Sequence, residues 1–186
     1  MKRLPLLTLA LWLCATPTLA CVGKTLVIGA DRSARGRLVA QVIAILINER
    51  TGTTVKITEF PTADAVHRGL AAGDVDIAVE YAAPGLARLG LAAPDSADDA
   101  VRAVRAAYQE RLNLAWLQPL GFTDPGDAKS PAATVVRKDT LKKFPALSRL
   151  LAKTEGVLPD GLLAGLTASA DPARAAREFL KAKKLI

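Results

Sequence analysis

The chain has 186 residues, a formal net charge of +7, 51% hydrophobic residues and only 4% aromatic ones. That length provides one domain with a substantial core and is short of two large domains. One histidine and two cysteines are too few soft or imidazole ligands for a metal site, and the sequence lacks the motifs of common hydrolases and phosphate-binding loops. We therefore expect no catalysis, no cofactor and no metal.

The positive charge has no pattern typical of nucleic-acid binding. Basic residues are not interleaved with aromatic ones, and no recognition motif accompanies them. They are spaced like the outward faces of helices, which indicates a solvated surface. The single histidine, His67, lies in a predicted helix, where we expect a partly exposed surface position.

The N-terminus has the pattern of an export signal. Lys2 and Arg3 precede an apolar run, and small residues precede Cys21. The run is too short to span a bilayer as a helix of the mature protein. We expect residues 1–20 to be removed and residues 21–186 to act as one domain outside the cytoplasm.

Two processing routes are open for this signal. Leu19-Ala20-Cys21 resembles the last positions of a lipobox, which would place a lipid on Cys21 and anchor the protein to a membrane. Ordinary secretory cleavage after Ala20 would instead leave Cys21 as a terminal thiol. Cys14 lies inside the predicted signal, so no intramolecular disulfide is expected by either route.

The first half of the mature chain alternates β-rich runs with helical spacing of apolar residues. The predicted strands are Thr25–Gly29, Thr54–Thr58 and Val75–Val79. The helices between them are predicted to end at Gly52 and Gly73, where glycine can adopt the left-handed cap conformation. Three strands joined by two helices imply parallel pairing.

The second half is richer in helix. Strands are predicted at Leu114–Leu117 and Ala132–Val136, with a turn-rich loop between them. Predicted helices begin at Asp95 or Ser96, at Asp139 with an interruption at Pro145, at Leu162 and at Asp171. Together these patterns predict a single three-layer α/β/α domain with a mostly parallel sheet of about five strands.

Four stretches resemble a known family, and one of them, Lys24–Gly29, is similar to its first strand. The segment from Gly69 to Tyr81 is similar to the "A-L-x-x-G-x-I-D-x-x-x-E-Y" segment of substrate-binding proteins from ABC importers of the glycine betaine, choline and proline type. Residues 116–122 resemble the family's "W-L-x-P-x-G-F" element. Residues 135–180 resemble the C-terminal segment in which the family's chain returns from the second lobe to the first. The resemblance implies one lobe of a type II periplasmic binding protein.

That resemblance also implies a function. The chain would be an extracytoplasmic solute-binding component of an importer for quaternary ammonium or amino-acid solutes that protect against osmotic stress, working with an ABC permease and an ATPase. The alternative is a non-transport accessory envelope protein, lipid-anchored or not, that uses the same scaffold for protein–protein interaction.

The chain departs from the family pattern in two respects. Family members have two lobes around a cleft, but the stretch between Phe122 and Ala132, where the second lobe is expected, reads as a loop. Residues 30–36 stand where the family has "S-K-N-F-T-E-Q", and Pro61-Thr62-Ala63 replaces Gly-Gly-Thr. We therefore expect a half-site, which a companion chain supplying the second lobe would complete.

Five residues are the candidate ligand contacts within this implied site. Thr62 and Asp31 lie near predicted helix N-termini, where backbone amides favour a carboxylate, although the charge of Asp31 would repel one. Tyr81 is expected to contact the cationic end of the solute, and Trp116 is a second aromatic candidate. Glu80 would supply negative charge.

Overall fold

The computed structural model describes residues 25–186, so the predicted signal and Cys21 lie outside the described residues. Five strands and eight helices follow one another in this part of the chain. In order they are β1 (Leu26–Asp31), α1 (Ala34–Thr51), β2 (Val55–Phe60), α2 (Ala63–Ala72), β3 (Ile77–Tyr81), α3 (Ala82–Arg88), α4 (Ala97–Arg111), β4 (Leu114–Asp124), β5 (Asp127–Arg137), α5 (Lys138–Lys143), α6 (Ala146–Ala152), α7 (Asp160–Thr167) and α8 (Pro172–Ala182).

The five strands form one sheet in the order β2-β1-β3-β5-β4. β1 pairs in parallel with both β2 and β3. β5 pairs antiparallel with β3 on one side and with β4 on the other, so β5 alone of the five runs against the common direction. The predicted α/β fold with a mostly parallel sheet of about five strands is confirmed.

Helices cover both faces of the sheet and create two cores. The larger core packs α1 with α6, α7 and α8 against one face, through side chains such as Leu46, Leu163 and Phe179. The second core packs α2, α3 and α4 against the other face, through side chains such as Leu70 and Leu86. Apolar burial on both faces explains the three layers, because a mostly parallel sheet is stable only when both faces are covered.

Local sequence signals account for the helix boundaries around β2. Gly52 and Gly73 end α1 and α2 with φ values of 67° and 95°, the left-handed caps that the sequence predicts. β3 starts later than expected because the N–H of Val75 still donates to the carbonyl of Gly69. α3 was not expected, since it begins directly after β3 without a side-chain cap.

The predicted loop between β4 and β5 is a hairpin. Asp124 pairs with Asp127 across the Pro125-Gly126 turn, and an Asp124 carboxylate oxygen accepts a hydrogen bond from the Gly126 N–H at 2.9 Å. This local bond favours the turn, and both strands extend to meet it. The chain therefore returns to the same sheet directly after β4.

The outer edge of β4 is partly covered by the segment that links α6 to α7. The N–H of Gly156 donates to the Pro119 carbonyl at 3.0 Å, and the N–H of Leu158 donates to the Leu120 carbonyl at 2.9 Å. Gly121 lies beside these bonds with φ of +108°, and a Cβ there would lie 2.9 Å from the carbonyl carbon of Gly156. The close approach of two backbones requires glycine at position 121.

We expect Gly121→Ala to lower the free energy of unfolding by roughly 1–3 kcal/mol, because alanine is strained at this φ and its methyl group meets backbone. Gly126→Ala is the matched control, since its Cβ would lie 3.6 Å from the nearest atom outside its chain neighbours. Urea denaturation of both variants measures the difference. Equal midpoints would contradict the packing described for the β4 edge.

Candidate functional site

The strand order places a crevice at the carboxyl ends of β1 and β3. The chain leaves β1 through α1 to reach β2 on one side, and it returns through α2 to reach β3 on the other side of β1. Such a reversal opens a space outside the strand ends, where ligands of open α/β sheets bind. Both α1 and α2 begin at this edge of the sheet, which we call the carboxyl edge.

Two of the predicted ligand residues lie at helix starts on the carboxyl edge. An Asp31 carboxylate oxygen accepts a hydrogen bond from the Ser33 N–H at 2.8 Å, and Ser33 caps α1. Thr62 caps α2, where its hydroxyl oxygen accepts a hydrogen bond from the Ala65 N–H at 3.2 Å. Both side chains therefore order the first turn of a helix at the carboxyl edge.

A small cavity lies in the crevice between the two helix starts. Its volume is about 30 Å³, and it is lined by Ile28, Gly29, Ala30, Asp31, Gly36, Ala40, Ala63, Val66 and Val79. This space holds about one water molecule. A solute would have to lie above it, on the open side of the carboxyl edge.

Tyr81 is the third predicted residue at the carboxyl edge. Its ring packs edge-to-face on Phe122, with centroids 6.0 Å apart and planes at 81°. Burial raises the pKa of Tyr81, while a hydrogen bond from Arg35 and the positive charge of Arg35 oppose that rise. The phenol therefore remains protonated at neutral pH and keeps its hydrogen-bond donor.

Arg35, on the first turn of α1, joins three elements at the carboxyl edge. Its Nη1 donates to the carbonyl of Thr123 at 2.9 Å and lies 3.5 Å from an Asp160 carboxylate oxygen. Its guanidinium carbon lies 5.5 Å from the centroid of the Phe122 ring, which is a cation–π contact. Sequence reasoning missed this group, because its members come from α1, β4 and α7 and no local pattern links them.

Glu80 does not face the carboxyl edge, so the prediction that it supplies charge to a ligand is corrected. Successive side chains of a strand point to opposite faces of the sheet, and Glu80 therefore enters the core opposite Tyr81. It is only 4% exposed. Its carboxylate accepts hydrogen bonds from Tyr108 at 2.5 Å and Arg88 at 3.3 Å, and it lies 3.0 Å from Nδ1 of His67.

These partners make Glu80 the centre of a buried polar network. Burial and then the Glu80 carboxylate raise the pKa of Tyr108 far above its usual value, so Tyr108 stays a neutral donor. Arg88 extends the network to Asp64 on α2 through a 2.9 Å hydrogen bond. His67, expected at the surface, has a side chain only 13% exposed and belongs to this network. The network joins α2, β3, α3 and α4.

Trp116 also lies away from the carboxyl edge, which corrects its prediction as a ligand contact. It is 3% exposed and packs edge-to-face on Tyr108, with centroids 5.1 Å apart. β4 directs this side chain into the core beneath α4. The structure therefore brings Asp31, Thr62 and Tyr81 to one edge and places Glu80 and Trp116 in the opposite core.

Metal ligands are not clustered in residues 25–186. Among these described residues, no group of three His, Cys, Asp or Glu side chains could hold a metal ion.

We expect Glu80→Gln to lower the free energy of unfolding by roughly 2–4 kcal/mol, because the substitution leaves the Arg88 charge without its buried partner. Glu59→Gln is the matched control. Glu59 pairs with Arg37 at 2.9 Å, but both side chains are more than 40% exposed, so its effect should stay below about 1 kcal/mol. Chemical denaturation compares the two, and similar losses would contradict the buried network.

Comparison with known proteins identifies the family of this fold. Residues 24–125 match the family described as the substrate-binding domain of the ABC-type glycine betaine transport system. The carnitine transport binding protein OpuCC of Listeria monocytogenes is 32% identical over 145 residues, which cover 75% of this chain and 45% of that protein. The chain thus spans less than half the length of the curated relatives it matches.

Solved structures share the fold at low sequence identity. A glycine betaine/carnitine/choline ABC transporter crystal structure aligns with a TM-score of 0.79 and 15% identity, covering 88% of this chain and 99% of that chain. Apo YehZ from Escherichia coli aligns with a TM-score of 0.74 and 14% identity, covering 88% of this chain and 100% of that chain. The chain belongs to the family of substrate-binding domains of ABC-type glycine betaine transport systems.

Proposed function

We propose that this chain is one lobe of an extracytoplasmic solute-binding component of an ABC importer, which binds glycine betaine, carnitine or a related solute without catalysis. The proposal rests on membership of this family together with the open crevice at the carboxyl edge. The Listeria relative is described as a carnitine transport binding protein, which favours a small quaternary ammonium solute. An ABC permease and its ATPase would be the partners.

Residues 21–186 would form a single lobe and therefore one wall of a binding cleft. Quaternary ammonium ions are held by several aromatic faces, each contributing about 0.5–2 kcal/mol, and closure of a second wall removes the solute from water. The carboxyl edge offers the half-buried ring of Tyr81, and the cavity beneath it holds about 30 Å³. We propose that a companion chain supplies the opposing lobe.

The residues of the carboxyl edge suggest how a zwitterionic solute would lie. The solute carboxylate would approach the N-terminus of α2 beside Thr62, where free backbone amides and the helix dipole favour negative charge. The ammonium group would lie toward the half-buried ring of Tyr81, away from that helix start. Asp31 would remain beside α1 and keep the carboxylate on the α2 side by repulsion.

Titration calorimetry with glycine betaine, carnitine and choline tests the solute role. We expect saturable heat with the folded chain and an affinity at least tenfold weaker in Tyr81→Ala, because the variant loses the aromatic face. Tyr81→Phe is the control, since it keeps the ring and its packing on Phe122. Absence of saturable binding to all three solutes, with and without the companion lobe, would contradict the proposal.

The proposed location is outside the cytoplasm, with residues 1–20 removed and a lipid on Cys21. The family consists of substrate-binding domains of importers, which meet their solutes on that side. From residue 25 onward, every helix is too short or too polar to cross a membrane. A lipid on Cys21, at the lipobox-like end of the signal, would attach the protein to the membrane.

Lipidation predicts a change in fractionation. Cys21→Ser should move the protein from the membrane fraction to the soluble fraction, because the serine hydroxyl cannot receive the thioether-linked lipid. Cys14→Ser is the matched control and should remain with the membrane. Immunoblots of the separated fractions measure the distribution, and a soluble unsubstituted protein would overturn the lipid anchor.

A further inference from the structure

The aromatic face of Phe122 at the carboxyl edge is already covered by a positive charge of the chain itself. Phe122 is 1% exposed, and the guanidinium carbon of Arg35 lies 5.5 Å from its ring centroid. The Arg35 side chain keeps 25% of its surface exposed, while Phe122 also packs within the larger core. The ring of Tyr81 lies edge-on to Phe122.

The surroundings of Arg35 have the chemistry of a cation site. Asp160 lies 3.5 Å from Nη1, and the Thr123 carbonyl accepts a hydrogen bond of 2.9 Å from the same nitrogen. The ring of Phe122, a carbonyl oxygen and a carboxylate thus contact one guanidinium group.

We propose that Arg35 is an internal cation that occupies the place a quaternary ammonium group would take at the carboxyl edge, and that it thereby decides which solutes this lobe accepts. The inference rests on the proposed function, since it concerns the same edge of the sheet. It assigns Arg35 a specificity role that is separate from the solute contact of Tyr81.

Hydrogen bonding explains why a quaternary ammonium ion displaces Arg35 poorly. Arg35 satisfies the Thr123 carbonyl and approaches Asp160, whereas a quaternary nitrogen carries no N–H and can donate to neither. Displacement would therefore exchange one cation–π contact for another and lose hydrogen bonds. A solute without a carboxylate, such as choline, has no second contact at the start of α2 to offset that loss.

Removal of Arg35 should open the site. In Arg35→Ala the Phe122 ring loses the cation that lies against it, and Asp160 loses its counter-ion, so both changes favour an added cation. The protein for the test is the chain from residue 21 with Cys21→Ser, because the mature protein is proposed to begin there and residues 26–186 supply the core members seen in the described part of the chain. The probes are choline chloride, tetramethylammonium chloride and guanidinium chloride at matched ionic strength.

We expect Arg35→Ala to bind choline and tetramethylammonium at least tenfold more tightly than the unsubstituted chain by calorimetry. Millimolar guanidinium should compete with choline in this variant and raise its melting temperature. Arg35→Lys keeps a positive charge and should show less than a threefold gain. Arg37→Ala is the matched control on the same helix, since Arg37 pairs with Glu59 at the surface, and it should leave affinity unchanged.

Two results would overturn the inference. One is a folded Arg35→Ala variant whose affinity for choline equals that of the unsubstituted chain. The other is an increase in choline affinity in Arg37→Ala that equals the increase in Arg35→Ala. If Arg35→Ala fails to fold, NMR of the unsubstituted chain decides the question. The side-chain Nε–H signal of Arg35 should carry a ring-current shift that Phe122→Leu removes, and an unshifted signal would refute the contact.

The outcome also separates this inference from the proposed function. If the unsubstituted chain binds glycine betaine and Arg35→Ala binds choline no more tightly, the solute role is supported and the specificity role of Arg35 is rejected. The opposite result is a choline site that appears only in Arg35→Ala, while neither the unsubstituted chain nor its complex with a companion lobe binds a solute. That result would support the specificity role of Arg35 and reject the solute role.

Discussion

The parallel pairing of β1 with strands on both of its sides is the constraint on which the rest of the structure depends. β1 continues through α1 to one neighbour, β2, while its other neighbour, β3, is reached only after the chain has crossed back through α2. This arrangement brings three helix starts and three strand ends to the carboxyl edge. Everything proposed for solute binding depends on that convergence.

Two carboxylates near the opposite ends of β3 join the sheet to its neighbouring elements. Asp76 accepts a hydrogen bond from the Val27 N–H at 2.9 Å and another from the Thr140 hydroxyl at 2.7 Å, which ties β3 to β1 and α5. Glu80 holds α2, α3 and α4 together in the second core. Asp76 and Glu80, the acidic residues that match the family motif, therefore stabilise the lobe, and the neighbouring Tyr81 is the one that reaches the edge.

The hairpin between β4 and β5 lies where the family resemblance places a second lobe. Its turn end is held by Asp160, which accepts hydrogen bonds from the N–H and the hydroxyl of Thr123, both at 3.1 Å. Arg35 contacts the same two residues, so α1, the turn end of the hairpin and α7 meet at this guanidinium group. Residues 30–36, which differ from the family pattern, therefore contact the β4–β5 hairpin through the hydrogen bond from Arg35 to the Thr123 carbonyl.

Sequence alone determined the strand and helix alternation, the caps at Gly52 and Gly73, the sheet class and the family, because these depend on local periodicity, backbone preference and contiguous motifs. It also selected Asp31, Thr62 and Tyr81, each adjacent to a strand end. Tertiary structure alone decided that Glu80 and Trp116 are buried and that Arg35 covers Phe122. The physical reason is that the contacts between α1, β4 and α7 form only when segments distant in the sequence pack together. The direction of a buried side chain is fixed in the same step, and no local sequence pattern predicts either.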